Sequence, residues 1–241
     1  MSLNIDKTNY VIFRNRHSNR VYNDLNICIN NVQITRVFYT KFLGVLLDDS
    51  LSWSKHTSNV VNILSKYCGI MYRLRDVLPS KTLFSLYNTL VLPHLLYCNL
   101  IWADPNNANL NYIHIKQKRI MRLCSNSHWL EHSPPLFKKF NTLTIHDIHK
   151  LTLGSFMYNF VSNNLPDIFT DYFTKNSSIH SYHTRISQIY RPYNFKYDLA
   201  RNTIRRQGPM LWNSIIEEFR NAKSLNVFKR NYKSYLLSYY Q

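Results

Sequence analysis

The sequence predicts an α+β fold that is mainly α, with a small antiparallel β segment leading into a helical body. Three observations carry this prediction. β-prone runs bounded by turn residues fill residues 1–50. After Trp53, apolar residues recur with a period of about 3.6. The chain is 241 residues long and 45% apolar, enough for one large domain or two small ones with a sizeable core.

Tyr10-Val-Ile-Phe13 is a short strand-forming run. Residues 26–29 and 32–34 flank Asn30-Asn31, a two-residue hairpin turn, because asparagine tolerates positive φ. Residues 41–47, Lys-Phe-Leu-Gly-Val-Leu-Leu, read as one further strand buried on both faces or nearly so, with Gly44 as a bulge or close backbone approach.

The helical part starts beyond Trp53. Val60, Ile63, Leu64, Tyr67, Ile70, Met71 and Leu74 make one apolar face. Leu78-Pro79 ends that helix, and Ser80 is expected to cap the next. Residues 83–92 continue as helix, which Pro93 kinks or ends. Leu110, Ile113, Gln117, Ile120, Met121 and Cys124 mark another helix, with Lys116, Lys118, Arg119 and Arg122 on its opposite side. After Pro134-Pro135, residues 146–161 are helical, and a polar irregular stretch covers about 174–188. A last helix begins near Ser224, with Leu225, Phe228, Tyr232, Leu236 and Tyr239 inward and Lys229, Arg230 and Lys233 outward.

The charge is lopsided. Thirty Lys and Arg face 13 Asp and Glu, a formal net charge of +17. Residues 101–241 hold 19 of those cations and 8 of the acids, so the downstream part is the stronger phosphate-binding candidate. Such a balance favours polyanions, since each cation near a phosphate releases condensed counterions. Cys28, Cys68, Cys98 and Cys124 are scattered without a C-x-x-C, the pattern of reduced intracellular thiols. The longest apolar stretch, residues 89–102, is broken by Pro93, His94 and Asn99 and reads as a buried helix pair, so no membrane partner is expected.

The order of the motifs resembles the non-LTR retrotransposon reverse transcriptases, in particular the jockey-like and chicken-repeat-like elements. Ser2-Leu-Asn-Ile-Asp-Lys-Thr-Asn-Tyr-Val-Ile-Phe13 is similar to their motif D. Lys41-Phe-Leu-Gly-Val-Leu-Leu-Asp-Asp49, then Trp53 and His56, is similar to the primer-grip block that follows. Leu74-Arg75, Leu78-Pro79, Leu86-Tyr87 and Leu92-Pro93 resemble the thumb helices. Trp102, Gln117-Lys118, His128, His132-Ser-Pro-Pro-Leu-Phe137, Tyr182, Gln207-Gly-Pro-Met-Leu-Trp-Asn213 and the segment from Ser224 resemble the tail.

The resemblance implies a partial palm over 1–50, a thumb-like helical region over 51–127 and a basic helical C-terminal domain over 128–241. It implies a primer grip at Phe42, Leu43 and Gly44, where a core strand is the other reading. Lys7 would be the motif D lysine that approaches the leaving pyrophosphate in a complete enzyme; otherwise it is a solvated surface lysine. Nucleic-acid contacts are expected from Lys116, Lys118, Arg119 and Arg122, and from Arg201, Arg205 and Arg206. Trp129, Tyr182 and Trp212 are expected in the core rather than as stacking platforms.

The family's catalytic carboxylates would precede residue 1, as in a truncated copy, so the chain alone is expected to lack polymerase activity. Leu46-Leu-Asp48-Asp49 imitates a polymerase Asp pair, yet two-metal transfer needs carboxylates converging from separate strands. The pair is expected to end a strand, with Asp49 or Ser50 near a helix start. Mg²⁺ belongs only to a complete polymerase, and no other cofactor is expected. Cys124, His128 and His132 lack a fixed fourth ligand for zinc, and hydrolase or glycine-loop signatures are absent from a chain with 4 Gly.

The expected partners are RNA and RNA–DNA or DNA duplex, with missing palm and fingers in another chain; the expected location is nuclear or cytoplasmic. Three readings remain open: a gripping fragment, one part of a split active polymerase, and a non-catalytic interaction remnant.

Overall fold

The computed structural model describes residues 4–14, 25–103, 108–178, 188–194 and 203–241. The chain forms two compact units, Met1–Val60 and Val61–Gln241. The α+β, mainly α class holds.

The described residues of the first unit form three two-stranded ladders. β1 (Asn9–Tyr10) runs parallel to β4 (Thr35–Arg36), whereas β2 (Cys28–Ile29) and β3 (Val32–Gln33) pair antiparallel. Asn30 and Asn31 form the turn between β2 and β3 at φ 49° and 63°, the positive values expected of them. β5 (Tyr39–Phe42) pairs antiparallel with β6 (Val45–Asp48).

Residues 41–47 are therefore not one strand but a tight hairpin. Leu43 and Gly44 are its turn, with φ 45° and 85°, so Gly44 supplies a reversal of direction rather than a bulge. Burial on both faces also fails for β5. Phe42 is exposed and Leu43 is 73% exposed, while Val45 and Asp48 of β6 are buried.

Helix α1 spans Ser54–Leu74, later than a start at Asp49 or Ser50. Leu64, Cys68 and Met71 form its buried stripe, whereas Ile70 is turned out. α2 (Ser80–Leu86) follows Pro79, which is itself the N-cap. Ser80 does not cap α2; its hydroxyl donates to the Cys124 carbonyl at 2.6 Å and ties α2 to another helix end.

Pro93 does not end the helical run. A π-helical turn at Tyr87–Val91 joins α2 to α3 (Leu92–Leu96), with Pro93 in the first turn of α3. The wider turn absorbs the missing N–H and the ring's clash with the preceding carbonyls. α4 (Asn99–Trp102) completes the pair over residues 89–102, with Leu95 and Trp102 fully buried.

α5 (Ala108–Ser125) lies at the centre of the second unit, packed on α2, α6 (Ser133–Lys139) and α7 (Ile145–Val161). Its Leu110, Ile113, Gln117, Ile120, Met121 and Cys124 are all fully buried, the face read from the periodicity. α7 packs in turn on α8 (Ile204–Ser214) and α10 (Leu225–Ser238), with the short α9 (Glu217–Arg220) between them. Two glycines permit these approaches. A Cβ at Gly208 would lie 2.8 Å from Met157 Sδ, and one at Gly154 would lie 3.2 Å from the Phe228 ring.

On α10, Phe228, Tyr232 and Leu236 face inward as expected. Tyr239 is exposed, and Tyr240 is the buried residue at that end. Tyr240 donates its hydroxyl proton to Asp147 Oδ2 at 2.5 Å, which fixes the chain end on α7. No described helix is long and apolar enough to cross a membrane.

Candidate nucleic-acid interface

In the first unit, the tempting Asp pair is consumed by local structure. Asp48 Oδ1 accepts from Ser50 N at 3.1 Å, Ser52 N at 2.8 Å and Ser50 Oγ at 2.9 Å; Oδ2 accepts from Ser52 Oγ at 3.0 Å. Burial alone would raise the Asp48 carboxyl, but these four hydrogen bonds outweigh it and hold it below its ordinary value. Asp49 Oδ2 meets Arg14 Nε at 2.6 Å, and the Asp49 backbone bonds both Arg14 and Phe38. The two carboxylates thus brace the turn from β6 into α1. A pair so engaged does not fit two Mg²⁺ ions, whose ligands must be free oxygens.

His56 has a similar bracing role: the Leu46 N–H donates to its Nδ1 at 3.4 Å, tying β6 to the start of α1. Lys7 ends a single 3-10 turn at Ile5–Lys7, and its side chain is exposed. Leu43 and Phe42 project at the tip of the β5–β6 hairpin, with Gly44 beside them. Among the described residues no group of three or more His, Cys, Asp or Glu is arranged to hold a metal ion. Cys124 is buried, and burial, then Cys68, pushes its thiol up to about 12.

In the second unit, helical geometry divides the four cations of α5 into two stripes. Residues four apart share a face, so His114, Lys118 and Arg122 form one row. Lys116 and Arg119 form another, close enough to Cys68 to offset part of the rise that burial imposes on its thiol. The first row lines a cleft between α5 and α6, together with Glu131, Leu130 and Tyr239. Arg122 Nε donates to the Glu131 carbonyl at 2.7 Å, which holds the 131 segment against α5. His114 stacks edge-on to His146 at 5.2 Å. Burial, then Lys118 and His146, drives the His114 imidazole down to about 4, so at neutral pH it adds no charge.

Trp129 is not in the core. It is 72% exposed on the loop between α5 and α6, next to the exposed Leu130. Trp212 is buried as expected; Tyr182 lies outside the described residues.

Of the downstream arginines, Arg201 lies outside the described residues. Arg205 and Arg206 open α8. The Arg205 guanidinium sits over the Tyr172 ring at 4.9 Å and the Tyr193 ring at 5.6 Å, a cation–π clamp. The Gln207-to-Asn213 strip is architectural. The His149 ring lies 3.0 Å from Asn99 Oδ1 and 3.2 Å from Gln207 Oε1. Asn213 holds the Tyr190 backbone from both sides, accepting from its N–H and donating to its carbonyl. Neither arrangement is visible in spacing alone, because the partners lie far apart in sequence.

The geometry defines a basic, mainly helical protein with solvent-facing cations beside exposed aromatics. The chain is similar to a Drosophila melanogaster protein named as a probable RNA-directed DNA polymerase from transposon X-element, at 26% identity over 152 residues. That match covers 61% of this chain and 16% of the relative, so the chain spans only a small part of the protein it matches. No family model and no solved structure matches it.

Proposed function

We propose that this chain is the gripping part of a non-LTR retrotransposon reverse transcriptase of the jockey-like kind, binding template–primer or element RNA without itself polymerising. The observation that carries the reading is the similarity to a transposon RNA-directed DNA polymerase in a chain whose central helix presents two rows of cations. In this reading the exposed Phe42–Leu43 tip with Gly44 steadies the primer terminus, and Lys7 keeps its motif D position. Residues 1–50, 51–127 and 128–241 correspond to partial palm, thumb and C-terminal domain. Lys116 and Arg119 follow a phosphate backbone, and Arg201, Arg205 and Arg206 are expected to add further phosphate contacts. Asp48 and Asp49 are held by Ser50, Ser52 and Arg14, so in this reading that pair serves the turn and not a metal.

A Lys116→Glu, Arg119→Glu variant tests this. It should weaken RNA–DNA primer–template binding about tenfold or more and shallow the logarithmic salt slope by about one to two. A wild-type salt slope near zero would remove the nucleic-acid reading.

A second reading is favoured by one observation: among the described residues the strand ladders of the first unit are two-stranded, and Tyr39 and Phe42 of β5, with Phe38 just before it, are exposed. Open edges and apolar side chains of this kind suit pairing with further sheet. The chain would then be one part of a split polymerase, completed by palm and fingers. Primer extension on mixing with such a partner, and none by either piece alone, would select it.

A further inference from the structure

The cleft between α5 and α6 combines its cations with apolar and aromatic residues on one lining. Lys118 and Arg122 provide the cations, four residues apart on one helix face. Leu130 and Tyr239 supply exposed apolar and aromatic surface on the lining, and Trp129 adjoins Leu130 on the same loop. Glu131 is the acid on this lining; its carbonyl is taken by Arg122 and its side chain faces solvent. His114 closes the buried end next to His146.

Large exposed aromatics beside paired cations suit one polyanion in particular. A duplex offers only phosphates to such a surface, because its bases are already stacked on one another. An unpaired strand offers phosphates and free base faces together, and each base stacked on an aromatic side chain adds to affinity with little regard to sequence. Charge complementarity points the same way in a chain of net charge +17.

We propose that the α5–α6 cleft is a single-strand site, with Lys118 and Arg122 on the phosphates, Leu130 and Tyr239 against unpaired bases, and the exposed Trp129 of the adjoining loop stacking on the next base outside the cleft. The proposal rests on the nucleic-acid reading above and deepens it. It assigns single-strand preference to this cleft and leaves duplex binding to the Lys116–Arg119 row.

The test uses the full chain, a short unstructured oligouridylate and a blunt RNA–DNA duplex of the same length, titrated by fluorescence anisotropy. Trp129→Ala should weaken oligouridylate binding about tenfold and leave duplex binding within about twofold, while Trp129→Phe restores most of the loss. Lys118→Ala should also act mainly on the single strand. Trp129 is exposed, so its loss leaves the core intact, and unchanged urea unfolding of the variants checks this. Equal losses for both ligands, or no loss for either, would overturn the single-strand site while leaving the wider reading in place. Wild-type protein that binds neither ligand would overturn both.

Discussion

Gln117 donates from Nε2 to the Tyr87 hydroxyl at 2.8 Å, deep in the second unit and on the otherwise apolar face of α5. The same amide donates to the Leu143 carbonyl at 2.9 Å and accepts from the Ile145 N–H at 2.8 Å. One side chain therefore joins α5 to α2's continuation and to the start of α7. Burial, opposed by the bonds from Gln117 and Thr142, pushes Tyr87 up to about 12, so it stays a neutral phenol. Gln117→Leu would leave the Ile145 N–H and the Leu143 carbonyl buried without partners and the Tyr87 hydroxyl with Thr142 alone. We expect a loss of about 2–4 kcal/mol, read as a lower urea midpoint at constant slope. A loss below about 0.5 kcal/mol would mean that the three groups find other partners.

Asp48 makes a matching prediction in the first unit. Asp48→Ala removes four hydrogen bonds and frees the Ser50 and Ser52 donors, so about 1–3 kcal/mol of stability should go. The wild-type carboxyl titrates below its ordinary value, so its contribution is complete above the unfolded value of 3.8 and disappears as pH falls through the folded one. Amide exchange of residues 45–52 would report the loss directly, and primer–template affinity should change far less than it does in the Lys116→Glu, Arg119→Glu variant.

Histidines set the acid behaviour at higher pH. His56, His114 and His146 are all lowered from 6.5, chiefly by burial. A base held below its unfolded value favours folding fully above about pH 6.5, and that contribution is lost as pH falls towards the folded value, about 4 for His114. The urea midpoint should therefore drop between pH 7.5 and pH 5, and His114→Gln should flatten part of that drop. A midpoint constant across this range would contradict the buried placement of these rings.

Leu43 sets stability against binding. A leucine at φ 45° carries a steric penalty that asparagine largely avoids, and Asn-Gly is the favoured pair for this turn. Leu43→Asn should stabilise the hairpin by about 0.5–1 kcal/mol. If the tip grips a primer, the same change should weaken primer–template binding, because the apolar contact is lost. Gains in both stability and affinity would remove Leu43 from the grip.

The fold was legible where local chemistry decides the conformation. Asn30-Asn31 announced its own turn, and the buried face of α5 followed from spacing. Leu43-Gly44 was missed because leucine seldom occupies positive φ, so a hairpin read as a continuous strand. Pro93 was read as a kink or an end; that it does not end the run was hidden because the π-turn that accommodates it has no composition of its own. Trp129 looked like core by size, yet the loop leaves it outside. The division of the basic face was available in the i, i+4 spacing of His114, Lys118 and Arg122. What no spacing could give is the tertiary work of Gln117, Gln207 and Asn213, whose partners come from distant elements.

The most direct test of the central claim is anisotropy with an RNA–DNA primer–template over a series of salt concentrations, run beside primer extension with Mg²⁺ on the same purified chain. Affinity should fall steeply and log-linearly with salt, and no extension should occur. Extension by the chain alone would contradict that claim and return Asp48 and Asp49 to the catalytic centre.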